Sequence, residues 1–473
     1  MGRRKKNKHP LLENIQISGI AAEGKAIAKV DDKVLFVPFA APGDVADIQV
    51  TRSRRKFMEG RVVRFHRLSG EREEPFCSHF GTCGGCKWQH IPYKTQLSFK
   101  QQQVSDSLQR IGGIDLQGVE VLQIAASERT RFYRNKLEFT FSNSRWFTSE
   151  EILSGEKLHD KEALGFHIPG LFDKVLDIEK CWLQDDPSNE IRLAVKNFAL
   201  REGLEFFDLK KNYGFLRNLI VRNTPSGQVM VVLVFGSRCD DGIGKLISFI
   251  EKTFPDLHSL SYIINEKQNS NISDLEFVVC KGKEYIEEKM EDLVFRVGPK
   301  SFYQTNSRQA GELYSIARDF AGLQGHECVY DLYTGAGTIA CFIAGDAARV
   351  VGIEYVEEAV DNARLNAEIN GIDNVSFIAG DMSEVFDDIL MDKMGYPHVI
   401  ITDPPRAGMH PKVISRLLAS GADRIVYISC NPATQARDIE RLGSRYKVSS
   451  TRAVDMFPHT HHVENVVLLE AIL

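Results

Sequence analysis

Hydrophobic and polar residues alternate in short runs along the first 67 residues of the 473-residue chain. Five of these runs are rich in Val, Ile and Phe, and turn residues such as Gly24 and Pro42-Gly43 separate them. This alternation is typical of β-strands that bury one face. Because the strands are short and closely spaced, the pattern predicts a small OB-like β-barrel. The predicted strands are IQISGI, KAIAKV, KVLFVPF, DVADIQVTRS and FMEGRVVRF.

The pattern is mixed in the middle of the chain. After a cluster of cysteines, the stretch YKTQLSFKQQQVSDSLQRIGG predicts a helix that ends at Gly112-Gly113. The stretch from Arg129 to Lys136 interleaves four cations with two aromatic residues, which suits either RNA contact or a solvated strand edge. Strand-like apolar runs follow: RNKLEFTFS, EALGFHI, FLRNLIVRNT, QVMVVLVFG and LSYIINE.

The last part of the chain alternates strand-like runs with helical stretches such as VEEAVDNARLNAEING and HPKVISRLLASG. Alternation of this kind predicts a doubly wound parallel sheet. We therefore predict an α/β protein with a barrel and basic tail over 1–70, a mixed α+β domain over 71–298 and a Rossmann-like domain over 299–473. The strand-like runs are ECVYDLY, RVVGIEY, NVSFIAG, HVIITDPP, RIVYISC and HHVENVVLLE.

Charge is distributed unevenly over the chain. The formal net charge is −5, but residues 1–67 carry +8 and the remainder −13. A basic end on an acidic body predicts a module that binds a polyanion, although a solubilising tail would give the same asymmetry. The basic stretch TRSRRKFMEGRVVRFHR offers Phe57 and Phe65 for base stacking. The whole segment resembles a TRAM domain, a small RNA-binding barrel of RNA-modifying enzymes.

No apolar run approaches membrane-spanning length, and the longest, Val229 to Phe235, has the size of a buried strand. The basic start MGRRKKNKHP is not followed by an apolar segment, which argues against a secretory signal. Nine cysteines, an odd number, argue against a disulfide framework. We expect a cytoplasmic protein that contacts no membrane and needs no obligate protein partner.

A glycine-containing turn marks the candidate cofactor site. The stretch from Asp331 to Thr338 follows a predicted strand and opens a helix, and Gly335 and Gly337 would let the backbone approach a ligand. Acidic residues close this strand and the next ones, at the edge of the sheet where ligands bind. This series resembles class I S-adenosylmethionine-dependent methyltransferases rather than dinucleotide-binding enzymes. The acidic residues after the turn are Glu354, Asp381 and Asp403.

Cys430 is the candidate nucleophile, because it ends the strand IVYIS and precedes the helical stretch ATQARDIERL. We expect the dipole and free amides of that helix to stabilise its thiolate. A methyltransferase needs such a thiolate when its target carbon is not nucleophilic, as for carbon 5 of uracil. Glu464, which leads into the final strand, is the candidate base for the carbon 5 proton.

Four motifs together, SFYQTN, DPPR, SCNP and HTHHVE, are similar to those of the RNA uracil-5 methyltransferase family. The resemblance covers nearly the whole chain. It implies that Cys430 is the nucleophile, that Glu464 is the base and that Phe302 stacks near the flipped uracil. It also implies contacts to S-adenosylmethionine from Gln304, Tyr333, Glu354, Asp381 and Asp403.

The cysteine cluster lies in CSHFGTCGGC and supplies three thiols, so a four-coordinate metal site would need a fourth ligand from elsewhere in the chain. Zinc and a [4Fe–4S] cluster both accept four thiolates, and spacing alone leaves both open, with Cys239 and Cys280 among the possible fourth ligands. The family resemblance implies a [4Fe–4S] cluster with a structural or RNA-shaping role. The ligands that it implies are Cys77, Cys83, Cys86 and Cys181.

The combination of cluster and barrel implies, by the same resemblance, a 23S ribosomal RNA (uracil-5)-methyltransferase. A transfer-RNA methyltransferase with the same chemistry and a non-catalytic RNA-binding or ribosome-assembly protein are the alternatives. A radical S-adenosylmethionine enzyme would carry Cys-x3-Cys-x2-Cys, whereas the spacing here is x5 and then x2.

Overall fold

The computed structural model describes residues 9–154 and 160–472. The predicted basic tail over the first eight residues therefore lies outside the described part. The chain divides into two units, each described by itself. One contains Met1–Gln103 and Phe457–His462, and the other contains Val104–Met456 and Val463–Leu473.

The smaller unit contains one six-stranded sheet in the order β1-β5-β6-β4-β3-β2. Its inward-facing residues, including Leu35 and Ile48, form a compact apolar core. The predicted run IQISGI is two strands rather than one, because Ser18 leaves the ladder with β5 and its N–H donates to the carbonyl of Ile27 instead. The strands are β1 Leu11–Gln16, β2 Gly19–Ile20, β3 Ala26–Val30, β4 Lys33–Val37, β5 Val45–Ser53 and β6 Phe57–Arg67.

The basic residues predicted to bind RNA lie in the turn between β5 and β6 and along β6. Residues 51–56 are exposed, as are Arg61, Arg64 and Arg67. Phe65 is 38% exposed, with the Arg72 guanidinium 5.0 Å from its ring centre. Phe57 is half-buried and packs edge-on against Phe36, 5.9 Å away, so Phe65 is the better placed of the two predicted stacking residues.

The predicted helix after the cysteines is confirmed as α1, Tyr93–Arg110, with the glycine pair just beyond its end. The second sheet has eight strands in the order β15-β14-β13-β12-β8-β10-β11-β9, and β13 is buried along its whole length. Helices α3 and α4 pack together through stacked rings of Phe198 and Phe249, whose centres are 4.2 Å apart.

The elements of this middle region follow in chain order. The strands are β7 Glu120–Ala125, β8 Lys136–Ser142, β9 Arg145–Trp146, β10 Ala163–Ile168, β11 Leu171–Asp177, β12 Leu216–Asn223, β13 Val229–Phe235, β14 Ser259–Ile264 and β15 Phe277–Gly282. A separate hairpin consists of β16 Ile286–Met290 and β17 Leu293–Val297. The helices are α2 Ser149–Leu153, α3 Ser188–Arg201 and α4 Asp240–Thr253.

The third sheet is the predicted doubly wound one, with strand order β20-β19-β18-β21-β22-β24-β23-β7. Its first five strands are parallel, whereas β24 is antiparallel to both neighbours. The strands are β18 Cys328–Leu332, β19 Arg349–Glu354, β20 Val375–Ala379, β21 Val399–Thr402, β22 Arg424–Ser429, β23 Tyr446–Val454 and β24 Glu464–Ala471.

Helices of the third sheet follow most of its strands, as the sequence pattern predicts. They are α5 Ser307–Ala321, α6 Thr338–Ile343, α7 Glu357–Ile369, α8 Met382–Val385, α9 Asp388–Met394, α10 Pro411–Ala419 and α11 Pro432–Leu442. Among the described residues, no helix is both long and apolar enough to cross a membrane.

Candidate active site

The parallel strands of the third sheet bring their carboxyl ends to one edge. Strand β22 ends at Ser429, so Cys430 lies at that edge. Strand β24 runs in the opposite direction and begins there with Glu464, and Ser429 pairs with Asn465 across the two strands. The sheet register therefore brings the predicted nucleophile and the predicted base to neighbouring positions, although 34 residues separate them in the sequence.

The turn after β18 depends on two glycines for different reasons. Gly337 has a φ of +76°, and a Cβ there would come within 2.8 Å of the side chains of Ala363 and Phe377. Gly335 also has a positive φ, +56°, but a Cβ at this position would meet nothing within 4 Å. Open space beside Gly335 is what a backbone that approaches a ligand requires.

Two of the predicted acidic residues organise the backbone at this edge. The carboxylate of Glu354 accepts hydrogen bonds from the N–H groups of Gly335 and Val356, each at 3.0 Å. Asp381 caps α8 by accepting from the N–H of Ser383 at 2.8 Å. Hydrogen bonds from Ser383 lower the pKa of Asp381, so this carboxyl is charged at neutral pH.

A cavity of about 360 Å³ lies beside this edge. It brings together two of the predicted cofactor residues, Tyr333 and Asp381, with residues that the sequence analysis did not single out. Burial and the charge of Asp381 raise the pKa of Tyr333 to about 12, so its hydroxyl keeps its proton. The lining residues are Tyr333, Tyr355, Asp381, Met382, Ser383, Pro405, Gly408, His410 and Val413.

Asp438 on α11 holds one wall of this cavity in place. Its carboxylate accepts from the N–H of Met409 at 2.8 Å and from the hydroxyl of Tyr427 at 2.9 Å. Gly408 fits because a Cβ there would lie 2.5 Å from the Asp438 carboxylate. The helix that follows Cys430 is thereby tied to the loop that follows Asp403.

A second tie joins the same two loops closer to the nucleophile. The side chain of Asn431 and the hydroxyl of Thr434 both donate to the carbonyl of Arg406, each at 3.1 Å. Asn431 also caps α11 by accepting from the N–H of Ala433 at 3.2 Å. These bonds fix the DPPR loop against the loop that contains Cys430, and Cys430 itself is half-buried.

The electrostatics of Cys430 differ from the prediction. Burial raises the pKa of its thiol to about 11, the charges of Glu464 and Asp403 add to this, and Arg406 opposes it in part. The pKa of the thiol is therefore raised rather than lowered, because burial and the two carboxyl groups outweigh the stabilisation that we expected from the helix. The first helical residue, Pro432, has no N–H, and the next amide is already bonded to Asn431.

The pKa values of the neighbouring carboxyl groups are also raised. Burial raises the pKa of Glu464 to about 8, with Asp403 adding to the rise and Arg406 opposing it. Burial alone raises the pKa of Asp403 to about 7. Asp331, which accepts a hydrogen bond from the hydroxyl of Thr334, has its pKa raised to about 7 by burial in the first place.

Glu464 is positioned through the residue that follows it. Asn465 is fully buried, and its side-chain N–H donates to Gln435 at 2.8 Å, whereas its side-chain oxygen accepts from Thr451 at 3.0 Å. Gln435 lies on α11 and donates back to the Asn465 carbonyl at 3.1 Å. The start of β24, which contains Glu464, is thus bonded to α11, the helix that follows Cys430.

Gln304 lies close to this region. Its side chain is near that of Tyr314, whose pKa is raised by burial and by the charges of Asp403 and Asp331. The Gln304 carbonyl accepts from the side chain of Asn135 at 2.9 Å. Phe302, two residues earlier, is 73% exposed and is therefore accessible to a ligand.

The four predicted cluster ligands fall into both units, and their thiols form no disulfide. The N–H of Gly85 donates to the Cys83 sulfur at 3.5 Å, and burial raises the pKa of the Cys77 thiol. Asn189 bonds both the N–H and the carbonyl of Cys181, at 2.7 and 3.1 Å. Within the described ranges, no group of three or more Cys, His, Asp or Glu residues is arranged to hold a metal ion.

Comparison with known protein families gives a match to two segments of the chain. The family described as tRNA (Uracil-5-)-methyltransferase matches residues 222–472, and the TRAM domain matches residues 13–63. A protein of Bacteroides thetaiotaomicron, named as an uncharacterized RNA methyltransferase, is 56% identical over 454 residues, or 95% of this chain and 100% of the relative. One of the same name from Porphyromonas gingivalis is 53% identical and covers 96% of this chain and 99% of the relative.

Among solved structures, the tRNA (uracil-54, C5)-methyltransferase of Pyrococcus abyssi, in complex with S-adenosyl-L-homocysteine, resembles the chain along its length. The TM-score is 0.74 and the identity 30%, over 96% of this chain and 99% of that one. The TRAM match and this likeness confirm the predicted fold class of a Rossmann-like methyltransferase with an N-terminal TRAM barrel. Because the family match spans more than half of the chain, the protein belongs to the tRNA (uracil-5-)-methyltransferase family of RNA methyltransferases.

Proposed function

We propose that the protein methylates carbon 5 of a uridine in 23S ribosomal RNA through a covalent adduct with Cys430. The observation that carries the proposal is the pairing of β22 with β24, which brings Cys430 and Glu464 to one edge of the sheet. Both groups respond to the same two charges, Asp403 and Arg406. A thiol and a carboxyl in one shared environment suit a reaction that needs a nucleophile and then a base.

Each step conserves atoms and electrons. The Cys430 thiol gives its proton to water, its sulfur bonds to carbon 6 of uracil, and the electron pair of the carbon 5–carbon 6 double bond moves so that carbon 5 becomes nucleophilic. S-adenosylmethionine, when bound, would supply the electrophilic methyl group to carbon 5, and its sulfur would leave in S-adenosyl-L-homocysteine. Glu464 then removes the carbon 5 proton, the ring double bond re-forms and the carbon 6–sulfur bond breaks, which returns the Cys430 thiolate.

The described residues suit S-adenosylmethionine, and the proposed contacts are those of the sequence analysis. The methyl donor carries positive charge, and the site is lined by carboxyl groups. The open space at Gly335 and the cavity beside Asp381 leave room for a nucleoside. Support also comes from the Pyrococcus abyssi enzyme, which contains S-adenosyl-L-homocysteine. The proposed contacts are Gln304, Tyr333, Gly335, Gly337, Glu354, Asp381 and Asp403.

We also propose a [4Fe–4S] cluster held by Cys77, Cys83, Cys86 and Cys181, with zinc as the alternative. The donor chemistry suits either group, because cysteine thiolates are soft ligands that both accept. The family resemblance, and not the arrangement of the described residues, supports this set. Determination of iron, sulfide and zinc in the anaerobically purified protein tests this proposal. The Cys83→Ser variant should contain less bound metal, and this measurement does not depend on methylation activity.

The choice of RNA has two candidates. The pairing of cysteine cluster and barrel favours 23S ribosomal RNA, whereas the family description and the solved Pyrococcus abyssi enzyme both refer to transfer RNA. The basic end of the barrel suits either polyanion. We place the reaction in the cytoplasm, where both RNAs are found.

Mass-spectrometric mapping of 5-methyluridine in cells with and without the gene decides between the RNAs. Loss at one or two positions of 23S ribosomal RNA supports the proposal, and loss only in transfer RNA selects the second candidate. Unchanged 5-methyluridine in both RNAs rejects uridine methylation.

Two variants then test the roles of the proposed residues. Cys430→Ala should form no covalent complex with 5-fluorouridine RNA, and Glu464→Gln should accumulate a covalent complex with ordinary RNA because the final proton transfer is blocked. If Glu464→Gln accumulates none, another group is the base.

A further inference from the structure

The larger unit contains a second cavity, which shares no lining residue with the cavity beside Tyr333 and Asp381. It has a volume of about 370 Å³, within the range of about 300–1,000 Å³ that is typical of small-molecule sites. Its walls come from the cation-rich stretch before β8, the loop before α3, the turn between β12 and β13 and the start of α5. Lining residues include Arg129, Phe132, Asn135, Asp186, Asn223 and Arg308.

The charges around this cavity cancel. Its lining contains three arginines and three acidic residues. Arg308 pairs with Glu128 at 2.9 Å, and Arg129 pairs with Asp185 at 3.7 Å. A cavity of balanced charge offers little net attraction to a free phosphate, but its arginines, carboxylates and amides offer both donors and acceptors to a neutral polar ligand.

Aromatic and amide groups give the cavity the features of a base-binding pocket. Two aromatic residues are among the lining residues, the half-buried Phe132 and the buried Tyr133. Asn135 is 8% exposed, and its side-chain oxygen is buried without a hydrogen-bond partner among the described residues. Single-stranded RNA is recognised by this combination, in which unstacked bases lie against aromatic rings or guanidinium planes and bond through their edges.

The floor of the cavity is bonded to the segment that carries Gln304. The side-chain N–H of Asn135 donates to the Gln304 carbonyl at 2.9 Å and to the Ser307 hydroxyl at 2.8 Å. Its backbone N–H donates to the Thr305 carbonyl at 2.8 Å. A ligand in the cavity therefore touches residues that are in direct contact with the proposed cofactor-binding segment.

We propose that this cavity, the base pocket, binds an unpaired nucleobase of the substrate RNA, a neighbour of the uridine that is methylated. The proposal rests on the proposed function, because it takes the ligand to be part of the same RNA. It also assigns a role to the cation-rich stretch from Arg129 to Lys136, which is compatible in sequence with either RNA contact or a solvated edge. The base pocket would select RNA by one extruded base beside the target.

The test uses synthetic RNA hairpins centred on the uridine found by the mapping experiment, each with one neighbouring nucleotide replaced by an abasic nucleotide. Binding to the full-length Cys430→Ala variant is measured by fluorescence anisotropy, so that turnover does not enter. One abasic position should weaken binding by at least about 5-fold, the smaller effect expected for a lost stacked base. If no single position weakens binding by more than about 2-fold, the pocket reads no base.

Protein variants then assign that loss to the pocket. In Phe132→Leu combined with Arg308→Ala, the penalty at the sensitive position should fall below about 2-fold, because the groups that read the base are gone. Arg238→Ala is the matched control, since Arg238 also lies on the surface in an ion pair, with Asp240 at 3.0 Å, but outside the pocket. The control should keep the full penalty.

The outcomes separate this inference from the proposed function. A penalty of equal size in the combined variant and in the wild type overturns the base pocket and leaves methylation untouched. Absence of any mapped 5-methyluridine rejects the proposed function itself. Binding of S-adenosyl-L-homocysteine, measured by calorimetry, checks that the combined variant is folded.

Discussion

Gln435 is expected to act on catalysis without touching either reacting group. The substitution Gln435→Met keeps the volume of the side chain but removes its amide. In the folded protein this amide donates to the carbonyl groups of Tyr427 and Asn465, at 2.8 and 3.1 Å, and accepts from the Asn465 side chain at 2.8 Å. Because Asn465 follows Glu464, loss of these bonds frees the start of β24.

The cost can be worked out from these contacts. The two carbonyl groups belong to the paired strands β22 and β24, so losing the bond to each costs about 0.5–1.5 kcal/mol. The Asn465 side-chain N–H would be buried without a partner, which costs about 1–3 kcal/mol. The sum is a destabilisation of roughly 2–6 kcal/mol, measurable by urea unfolding.

Catalysis supplies the sharper measurement. If Gln435 positions Glu464, the variant should accumulate covalent RNA complex, as expected of Glu464→Gln, and its kcat should fall by at least about 10-fold. Gln184→Met is the matched control, because Gln184 is also fully buried and donates to two acceptors, Val221 and Asn223, each at 3.0 Å. It should lose stability without accumulating complex at saturating RNA.

The reasoning is refuted if both variants lose similar stability and neither accumulates complex. A second check is the double variant with Asn465→Leu. Because both changes break the same contact, their effects on stability should fall short of additive by at least about 0.5 kcal/mol. Additive effects would mean that the two residues act independently.

Three further expectations follow from the site. The pKa of Glu464 is raised to about 8, so its contribution to stability is present at low pH and is lost as pH rises towards 8. Between pH 5 and pH 8 the Glu464→Gln variant should therefore gain stability relative to the wild type, by more than about 1.4 kcal/mol in urea melts. A difference between variant and wild type that does not change with pH would contradict this. Gly337→Ala should destabilise the protein by more than about 2 kcal/mol, because the added Cβ meets Ala363 and Phe377. Gly335→Ala should cost only about 1 kcal/mol, because there the positive φ is the only obstacle. Equal losses of stability in the two variants would refute this difference between the two glycines. Binding of S-adenosylmethionine at pH 7.5 should release more protons than binding of S-adenosyl-L-homocysteine, which lacks the sulfonium charge. The release is measured by calorimetry in buffers of different ionisation enthalpy, and equal release would show that the carboxyl groups do not sense the sulfonium charge.

The sequence predicted the sheets well where patterns were local and regular. Parallel strands such as β19 and β21 are continuous apolar runs, and acidic residues at their ends are visible as motifs. Strand β23 escaped prediction because YKVSSTRAV carries polar residues at several of its positions. Strand β7 escaped because it pairs in parallel with β23, more than 300 residues later in the chain, and no local pattern reveals such a partner.

The pKa values of the site residues could not be predicted from the sequence, for a different reason. The prediction for Cys430 used only its own helix, and Pro432 removes the first amide of that helix. The groups that decide the pKa of the thiol, Glu464 and Asp403, come from separate strands, and their burial depends on the packed sheet. A motif gives the residue types of a site but not the degree to which water is excluded from them.

The same electrostatics suggest an order of events in the proposed reaction. Cys430, Glu464 and Asp403 all have raised pKa values, and Arg406 is the cation that lowers the pKa of the first two. A pKa of about 11 keeps the Cys430 thiol protonated at neutral pH. A cation bound beside Asp403 would favour the charged forms of all three groups. The methyl donor carries such a charge, so the nucleophile would become reactive towards uracil only once the methyl group is at hand, and a futile RNA adduct would be avoided.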